Sequence, residues 1–304
     1  MVKWYVFSII ILTSSLSSIL SSQEIKTFKV EDFDLIGEVK SALVITDYGK
    51  EEYHFDQKGR LSKAVTRYSD DDYENTFYRY RNGELIEKRV ENYHDNTFDP
   101  ATSIANLYEF DTTGLKRQVV ENIVSYEQEA LEKNIYHYDD TGALIKIVHT
   151  DTNGTDEITI EYTDSEDASV MIKKRNNVLL QSVRREKIDS VEIKIVTDDY
   201  INGDLSTRKK EILRKDNLIF EAEFAMDSVT QKWLPQSEVH YVYDKDGVLS
   251  EVTTKRGLIT TAEHYIYQFD GSRYNNWVKE IVTPDNTYTT RRIVYYETPE
   301  NIED

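Results

Sequence analysis

The chain has 304 residues, of which 39% are hydrophobic, 12% aromatic and 31% charged, and its formal net charge is -19. This composition is too apolar and too aromatic for a disordered chain. The acidity argues against nucleic-acid binding, because an acidic surface repels phosphate. The sequence contains no cysteine, which excludes disulfides, a thiolate nucleophile and a lipidated cysteine.

Residues 1–22 predict a secretory signal peptide. Lys3 precedes an apolar run from Trp4 to Leu12, and a Ser-rich stretch leads to a small-residue cleavage site after Ser22. This order is typical of a signal, and the run is too short for a dependable membrane span. Cleavage would remove one of 37 basic residues, so that 36 would face 56 acidic ones, a net charge of -20. We expect an exported monomer without a membrane span.

An aromatic-x-aromatic pair followed by a turn and a glycine recurs along the chain. The copies read YHFDQKGRL from Tyr53, YRYRNGEL from Tyr78, YEFDTTGL from Tyr108, YHYDDTGAL from Tyr136 and YVYDKDGVL from Tyr241, with looser versions from Ile160 and Tyr265. Most neighbouring copies start 24 to 30 residues apart, a period typical of repeat proteins. The longer gap between Ile160 and Tyr241 leaves room for about three units that lack the marker.

Each copy predicts a β-hairpin. Tyr136 and Tyr138 share one face of a strand, and the carboxylate of Asp139 is placed to accept backbone N–H bonds in a type I turn. Gly142 falls where a three-residue hairpin needs a positive φ. The equivalent markers are Tyr53, Asp56 and Gly59, then Tyr108, Asp111 and Gly114, and finally Tyr241, Tyr243, Asp244 and Gly247.

A single hairpin cannot bury its aromatic face, but stacked neighbours do. We therefore predict an all-β fold of repeated antiparallel hairpins in one long, twisted and curled meander or spiral sheet, with almost no helix apart from the signal peptide. The signal is followed by a lead-in, 23–44, and by the repeat domain, 45–296, whose repeat is degenerate over 164–235. Residues 297–304 form an acidic tail.

The unit Y-x-[YF]-D-x-x-G-x-L resembles the YD repeat of Rhs and teneurin-type proteins. The copies at Tyr53, Tyr136 and Tyr241 match it closely, and the likeness extends patchily over residues 45–295. The resemblance implies a spiralling hairpin sheet in a small stand-alone secreted member, periplasmic or extracellular, from a Gram-negative bacterium. It also implies binding of carbohydrate or of a cell surface. The chain differs from the large members in its few repeats and in lacking an autoproteolytic core signature and a toxin domain.

No catalytic motif such as G-x-S-x-G, H-E-x-x-H or a Walker loop occurs in the sequence. We therefore predict a protein that is not an enzyme and needs no cofactor. Calcium is the inorganic alternative, because Asp151, Asn153 and Asp156 lie in a Gly-containing turn and Asp70 to Asp72 form a second acidic stretch. Neither stretch has the spacing of a calcium loop, so solvated loops are the expectation.

Two tryptophans, Trp233 and Trp277, lie outside the repeat marker in W-L-P-Q and N-N-W-V segments. Aromatic platforms beside polar groups suit sugar rings, so both are candidate binding residues, with core packing as the alternative. The leading hypothesis is a secreted or periplasmic, non-enzymatic β-repeat protein that binds an envelope component, either polysaccharide or surface protein.

The alternative functions are a periplasmic carrier of a lipid or another hydrophobic ligand, and an exported hydrolase. A large aliphatic concavity would favour the carrier. A flat face that is aromatic and acidic would favour the binding protein. A hydrolase would need two carboxyl groups that face one another in a cleft.

Overall fold

The computed structural model describes residues 25–111, 117–126 and 129–297 as twenty strands and one turn of 3₁₀ helix. The predicted signal peptide, Gly114 and nearly all of the acidic tail lie outside the described residues. Within those residues, no helix is long and apolar enough to cross a membrane. The 3₁₀ turn is Val30–Phe33, and the strands are β1 Val39–Thr46, β2 Gly49–Phe55, β3 Leu61–Arg67, β4 Tyr73–Arg81, β5 Glu84–His94, β6 Thr97–Asp111, β7 Gln118–Ser125, β8 Ala130–Tyr138, β9 Leu144–Asp151, β10 Gly154–Asp164, β11 Ala168–Arg175, β12 Val178–Lys187, β13 Glu192–Ile201, β14 Asp204–Arg214, β15 Asn217–Met226, β16 Trp233–Tyr243, β17 Leu249–Arg256, β18 Ile259–Phe269, β19 Trp277–Thr283 and β20 Thr287–Tyr295.

The sheet closes on itself. Each strand pairs antiparallel with its neighbour in the sequence, and β1 also pairs with β20, with Val39 opposite Tyr295 and Ile45 opposite Thr290. The prediction of an all-β antiparallel meander is confirmed, whereas the spiral arrangement is wrong, because the twenty strands form a closed barrel. A spiral would leave two edges of unpaired N–H and C=O groups, and the β1–β20 pairing satisfies both edges.

The connections gather at two ends, which we call the lower and the upper rim. Turns that follow even-numbered strands form the lower rim, and turns that follow odd-numbered strands form the upper rim. Because each sequence repeat spans two strands, the D-x-x-G turns that the structure describes return to the same end. The turns of Asp56, Asp139 and Asp244 accordingly all lie on the lower rim.

The stretch without markers has the same two-strand period. It forms β11 to β15. Each repeat unit contains one even-numbered strand, so the gap holds two units, those of β12 and β14, where about three were predicted. Its tight turns use Asn176–Asn177, Asn202–Gly203 and Lys215–Asp216, in each of which both residues have a positive φ. Such pairs form the turns that match the twist of a two-residue hairpin. The hairpins therefore persist where the aromatic marker is lost.

The D-x-x-G turns have the geometry that the marker requires. Asp139 Oδ1 accepts the backbone N–H groups two and four residues further on, at 2.9 and 3.0 Å. Gly142 has a φ of 86° and donates its N–H to the Asp139 carbonyl at 3.0 Å. The adjoining ladder shifts register between His137 and Tyr138. Asp56 and Asp244 accept the same pair of N–H groups.

The repeated aromatic residues line the interior in two rows. The strand registers place them on one face, and this face is the interior because it carries nearly all of the buried apolar side chains. The upper row is Tyr53, Tyr78, Tyr108, Tyr136, Tyr241 and Tyr265, and the lower row is Phe55, Tyr80, Phe110, Tyr138, Tyr243 and Tyr267. Around most of the ring these rows are part of the packed core.

Tyrosine hydroxyl groups that are partly withdrawn from water need hydrogen-bond partners. Tyr80, Tyr162 and Tyr243 each donate to the carbonyl of a leucine near the start of the preceding strand, at 2.8, 3.1 and 3.0 Å. The interior apolar side chains form two clusters. One comprises Val119, Tyr136, Tyr138, Leu144, Ile147, Ile158, Ile160, Met171, Val183, Ile195 and Leu213, and the other Val30, Leu35, Val39, Ala42, Phe55 and Leu61.

The outer face is polar and carries cross-strand ion pairs. Arg79 pairs with Glu87, and on the other side of the ring Lys194 pairs with Glu186. Residues directly opposite each other in an antiparallel sheet stabilise it when their charges are opposite. This alternation of apolar and charged residues along the strands gives the barrel an interior core and a solvated exterior.

Residues 25–38 of the predicted lead-in cover part of the lower rim, whereas residues 39–44 belong to β1. The Phe28 carbonyl accepts the N–H of Leu61 at 2.8 Å, and the ring of Phe33 packs against Tyr53. Further along, the buried Asn276 side chain makes two hydrogen bonds of 2.8 Å with the backbone of Ile36, one as donor and one as acceptor. The lead-in is therefore fixed both to β2–β3 and to the loop before β19.

Replacing Gly142 by alanine tests the turn. No atom lies within 4 Å of the added Cβ, so the change acts through the left-handed backbone alone. We expect the free energy of unfolding to fall by about 1–2 kcal/mol, measured by urea denaturation. Gly142→Asn is the control, and it should lose less because asparagine tolerates this conformation. Equal losses in both variants would contradict the account.

Replacing Asn276 by alanine tests the attachment of the lead-in. The variant leaves the N–H and C=O of Ile36 without their side-chain partner. We expect a loss of about 2–4 kcal/mol in the free energy of unfolding. Gln236→Ala, which removes an exposed amide that donates to the Leu234 carbonyl, should change it by less than about 0.5 kcal/mol. An Asn276→Ala variant as stable as the control would show that the attachment contributes nothing.

Candidate ligand-binding surface

The structure places Trp277 inside the attachment of the lead-in. Its indole N–H donates to Asp34 Oδ2 at 2.6 Å, and the Arg291 guanidinium lies 3.3 Å from the ring centroid. Arg291 in turn donates to the carbonyls of Phe33 and Asp34 at 3.2 and 3.0 Å. Both the ring and the N–H of Trp277 therefore have partners within the chain.

Trp233 lies on the outer face near the upper rim. Arg208 lies 4.5 Å from its ring centroid and forms two hydrogen bonds with Asp198, and Phe224 meets the indole edge to face. The indole is half-buried. The structure thus separates the two candidate tryptophans, one outside the barrel and one at the lower end of its interior.

The residues of the calcium hypothesis are bonded within their own turn or to the neighbouring turn of the upper rim. Asp151 accepts the N–H groups of Asn153 and Gly154 at 2.7 and 3.1 Å, and Asp156 accepts the side-chain amide of Asn176 at 2.7 Å. Across the described part of the chain, no three His, Asp or Glu side chains form a group that could hold a metal ion. The calcium hypothesis therefore has the sequence pattern as its only basis.

Carboxylates accompany the upper row of tyrosines inside the barrel. Tyr53 donates to Glu51, Tyr265 donates to Glu263 at 3.1 Å, and Tyr136 donates to Glu121 at 2.6 Å. Glu51 and Glu263 each lie two residues before their tyrosine and so share its face. Interior tyrosines and carboxylates are consequently neighbours in several copies of the repeat.

Glu121 shows how such a carboxylate is held when it is buried. It accepts the amide groups of Asn106 and Asn134, each at 2.9 Å, in addition to the Tyr136 hydroxyl. Burial raises the pKa of Glu121, but hydrogen bonds from Tyr136, the two asparagines and Tyr108 outweigh it and leave that pKa lowered. The charged form is fully partnered, which makes Glu121 a structural anchor between β6, β7 and β8.

A more open group lies on β14 to β18. Lys209 Nζ forms ion pairs of 2.9 Å with both Glu211 and Glu221. Tyr241 lies on β16, within electrostatic reach of Lys209 on β14 and Glu221 on β15. Val252 of β17 lies opposite Tyr241 on one side and opposite Glu263 of β18 on the other. We call Lys209, Glu221, Tyr241, Glu263 and Tyr265 the tyrosine–carboxylate face.

This face is accessible to solvent. Tyr241 and Tyr265 are half-buried and Glu263 is exposed, in contrast to the buried interior residues of β7 to β14. Burial, followed by the charge of Glu221, raises the pKa of Tyr241 to about 12. Burial and Glu263 likewise raise the pKa of Tyr265. The hydroxyl groups therefore stay protonated at neutral pH, and the face presents donors and acceptors beside aromatic rings.

Sequence reasoning assigned the tyrosines to packing and did not single out the carboxylates. A signal was present, because an acidic or amide residue stands two positions before the first aromatic in four copies. These residues are Glu51, Asn106, Asn134 and Glu263. The period of two places each of them on the interior face. Lys209 and Glu221 carry no such signal, since their strands lack the marker.

A cavity of about 410 Å³ lies at the lower rim between β12 and β15. Ile193 and Leu213 provide apolar lining, and Lys187, Asp189 and Lys215 provide charged lining. Cavities of this size hold small molecules. The mixed lining differs from the large aliphatic concavity that a lipid carrier would need.

No family model and no curated protein matches the chain. Among solved structures, a porin-like protein from Bacteroides uniformis is similar with a TM-score of 0.35 and 10% identity, covering 84% of this chain and 96% of that one. A porin-like protein from Bacteroides vulgatus gives 0.24 and 11%, covering 86% and 99%. The Tc holotoxin pore of Photorhabdus luminescens gives 0.17 and 12%, covering 79% and 18%. At these TM-scores none of the three carries an argument about this chain.

The lowered pKa of Glu121 predicts acid sensitivity. Because its folded-state pKa lies below the ordinary value of 4.5, its contribution to stability is present above that value and is lost as the pH falls through the folded-state pKa. Glu121→Gln should cost about 1–3 kcal/mol near neutral pH and flatten the acid limb of the stability curve. Urea denaturation from about pH 7 to pH 3 measures both effects. An unchanged acid limb in the variant would refute the assignment.

Proposed function

We propose that the protein is an exported, non-enzymatic binding protein that holds a neutral envelope polysaccharide on the tyrosine–carboxylate face. The observation that carries the proposal is the pair of half-buried rings, Tyr241 and Tyr265, beside the carboxylate of Glu221 and the exposed carboxylate of Glu263. Aromatic rings offer sugars an apolar platform. Carboxylates and protonated phenols offer acceptors and donors for hydroxyl groups.

Charge favours a neutral ligand. The mature chain would carry a net charge of -20, and Glu221 and Glu263 add local negative charge to the proposed surface. An anionic polysaccharide would be repelled. Lys209 does not offset this, because Glu211 and Glu221 both pair with it.

The face is better suited to binding than to hydrolysis. General acid–base catalysis needs groups that exchange protons near the working pH, whereas the pKa of Tyr241 is raised to about 12 and that of Tyr265 is raised as well. Burial raises the pKa of Glu280, as a general acid would require, but its neighbours are Tyr267, Arg291 and Asp34, under the attached lead-in. An acidic, aromatic surface also favours the binding protein over the lipid carrier.

The experiment uses residues 23–304 and a panel of soluble polysaccharides, with affinity electrophoresis and calorimetry as readouts. We expect retention on a neutral polysaccharide and none on an anionic one. Tyr241→Ala and Tyr265→Ala should each weaken association about fivefold to tenfold, since removing a stacking ring costs roughly 1 kcal/mol or more.

Trp233→Ala is the matched control, because it removes an aromatic ring from the outer face. If Trp233→Ala abolishes retention while Tyr241→Ala and Tyr265→Ala retain it, the polysaccharide binds outside the barrel and the interior assignment is wrong. If the wild-type protein binds none of the neutral polysaccharides and bound lipid is recovered from it by extraction, the proposed function is wrong and the lipid-carrier hypothesis is favoured.

A further inference from the structure

The upper rim is apolar along one arc. Six consecutive turns, from β11–β12 around the closure to β1–β2, each carry a large exposed apolar side chain in the turn or within two residues of it: Val178, Ile201, Val229, Leu258, Tyr288 and Tyr48. The next turn, β3–β4, also carries one, Tyr68, which is 67% exposed, but places it beside Asp70, Asp71 and Asp72. Leu258 is fully exposed, Val229 is 88% exposed and Tyr48 76%. We call this stretch of the rim the apolar arc. A soluble surface does not require six such tips in a row.

The charges of the rim set the apolar arc apart from the other turns. Four of the six turns in the apolar arc carry a Lys or Arg beside the tip: Arg175, Lys232, Arg256 and Lys50. Four acidic residues, Asp204, Asp227, Asp285 and Asp47, balance them. The remaining turns are acidic and include Asp70 to Asp72, Asp95 and Asp151. The apolar arc is therefore neutral overall, although the chain is strongly acidic.

From this arrangement we infer that the apolar arc docks on a phospholipid bilayer with a zwitterionic headgroup surface. Successive turns lie about 10 Å apart, because each is separated from the next by two strand spacings. A protein partner would need one contiguous, desolvated centre. A bilayer interface accepts separate tips one at a time, with aromatic rings at headgroup level and lysine or arginine stems reaching to the headgroups.

The balanced charge decides between lipid surfaces. Equal numbers of cations and carboxylates complement a headgroup that carries both signs, whereas the acidic turns beyond the arc would be repelled by an anionic surface. Docking through six of ten turns would tilt the barrel and lift the acidic sector away from the bilayer. The tilt would leave that side of the upper rim open to the interior.

Sedimentation with phosphatidylcholine vesicles tests the inference. Wild-type 23–304 should sediment with the vesicles. Ile259 directly follows Leu258 and is 69% exposed, so the double variant Leu258→Ser with Ile259→Ser removes two adjacent apolar side chains from the rim and should lower the partition coefficient about tenfold or more. The control is Ile266→Ser with Val294→Ser, which alters two side chains that are 55% and 50% exposed on the outer face. The control should partition like the wild type.

Several results would overturn the inference. The wild type could stay in solution, or the control pair could lose as much binding as the arc pair. Light scattering could show a dimer that the arc variant abolishes, which would make the arc a contact between copies of the chain. A second variant, Val229→Ser with Tyr48→Ser, is measured alongside, and urea midpoints equal to the wild type show that both variants are folded. Polysaccharide binding is assayed separately, so failure of the proposed function leaves this test unaffected.

Discussion

The pairing of β1 with β20 is the constraint on which the rest of the structure depends. A strongly twisted sheet of twenty strands does not remain open and flat, and the closing ladder from Val39–Tyr295 to Ile45–Thr290 removes both free edges. Closure also creates an inside and an outside. A slip of one residue in this ladder would turn Arg291 outwards and separate it from Trp277 and the lead-in carbonyls.

The interior is not uniform around the ring. Along β7 to β14 the repeated tyrosines and the aliphatic residues form a packed core, and Glu121 is enclosed by four hydrogen-bond donors. Along β15 to β18 the same positions remain half-buried or exposed. The same aromatic pattern therefore forms packed core along β7 to β14 and partly exposed surface along β15 to β18. This difference in exposure comes from packing, because both parts of the ring use the same aromatic-x-aromatic pattern.

The balance of charge differs between the outer face, the interior face and the upper rim. The outer face neutralises much of its charge through cross-strand pairs such as Lys194 with Glu186. The interior face keeps accessible carboxylates beside tyrosine hydroxyls, and the apolar arc of the upper rim balances its few charges. The proposed polysaccharide and the proposed bilayer surface would thus meet different parts of one acidic molecule, one inside the barrel and one at its upper end.

The sequence by itself determined the features that act over a few residues. The carboxylate of Asp139 accepts hydrogen bonds from N–H groups two and four positions away, and Gly142 takes a positive φ three residues later. The hairpin and its turn therefore follow from a short sequence motif. The period of two likewise assigns each aromatic to a face. Only the tertiary structure decided that the sheet closes and that Trp277 meets Asp34 across 243 positions of sequence. It also decided that Tyr241 stays accessible while Tyr136 is buried. Local geometry depends on neighbours within the hairpin, whereas these contacts depend on strand order around the whole ring, which no short segment encodes.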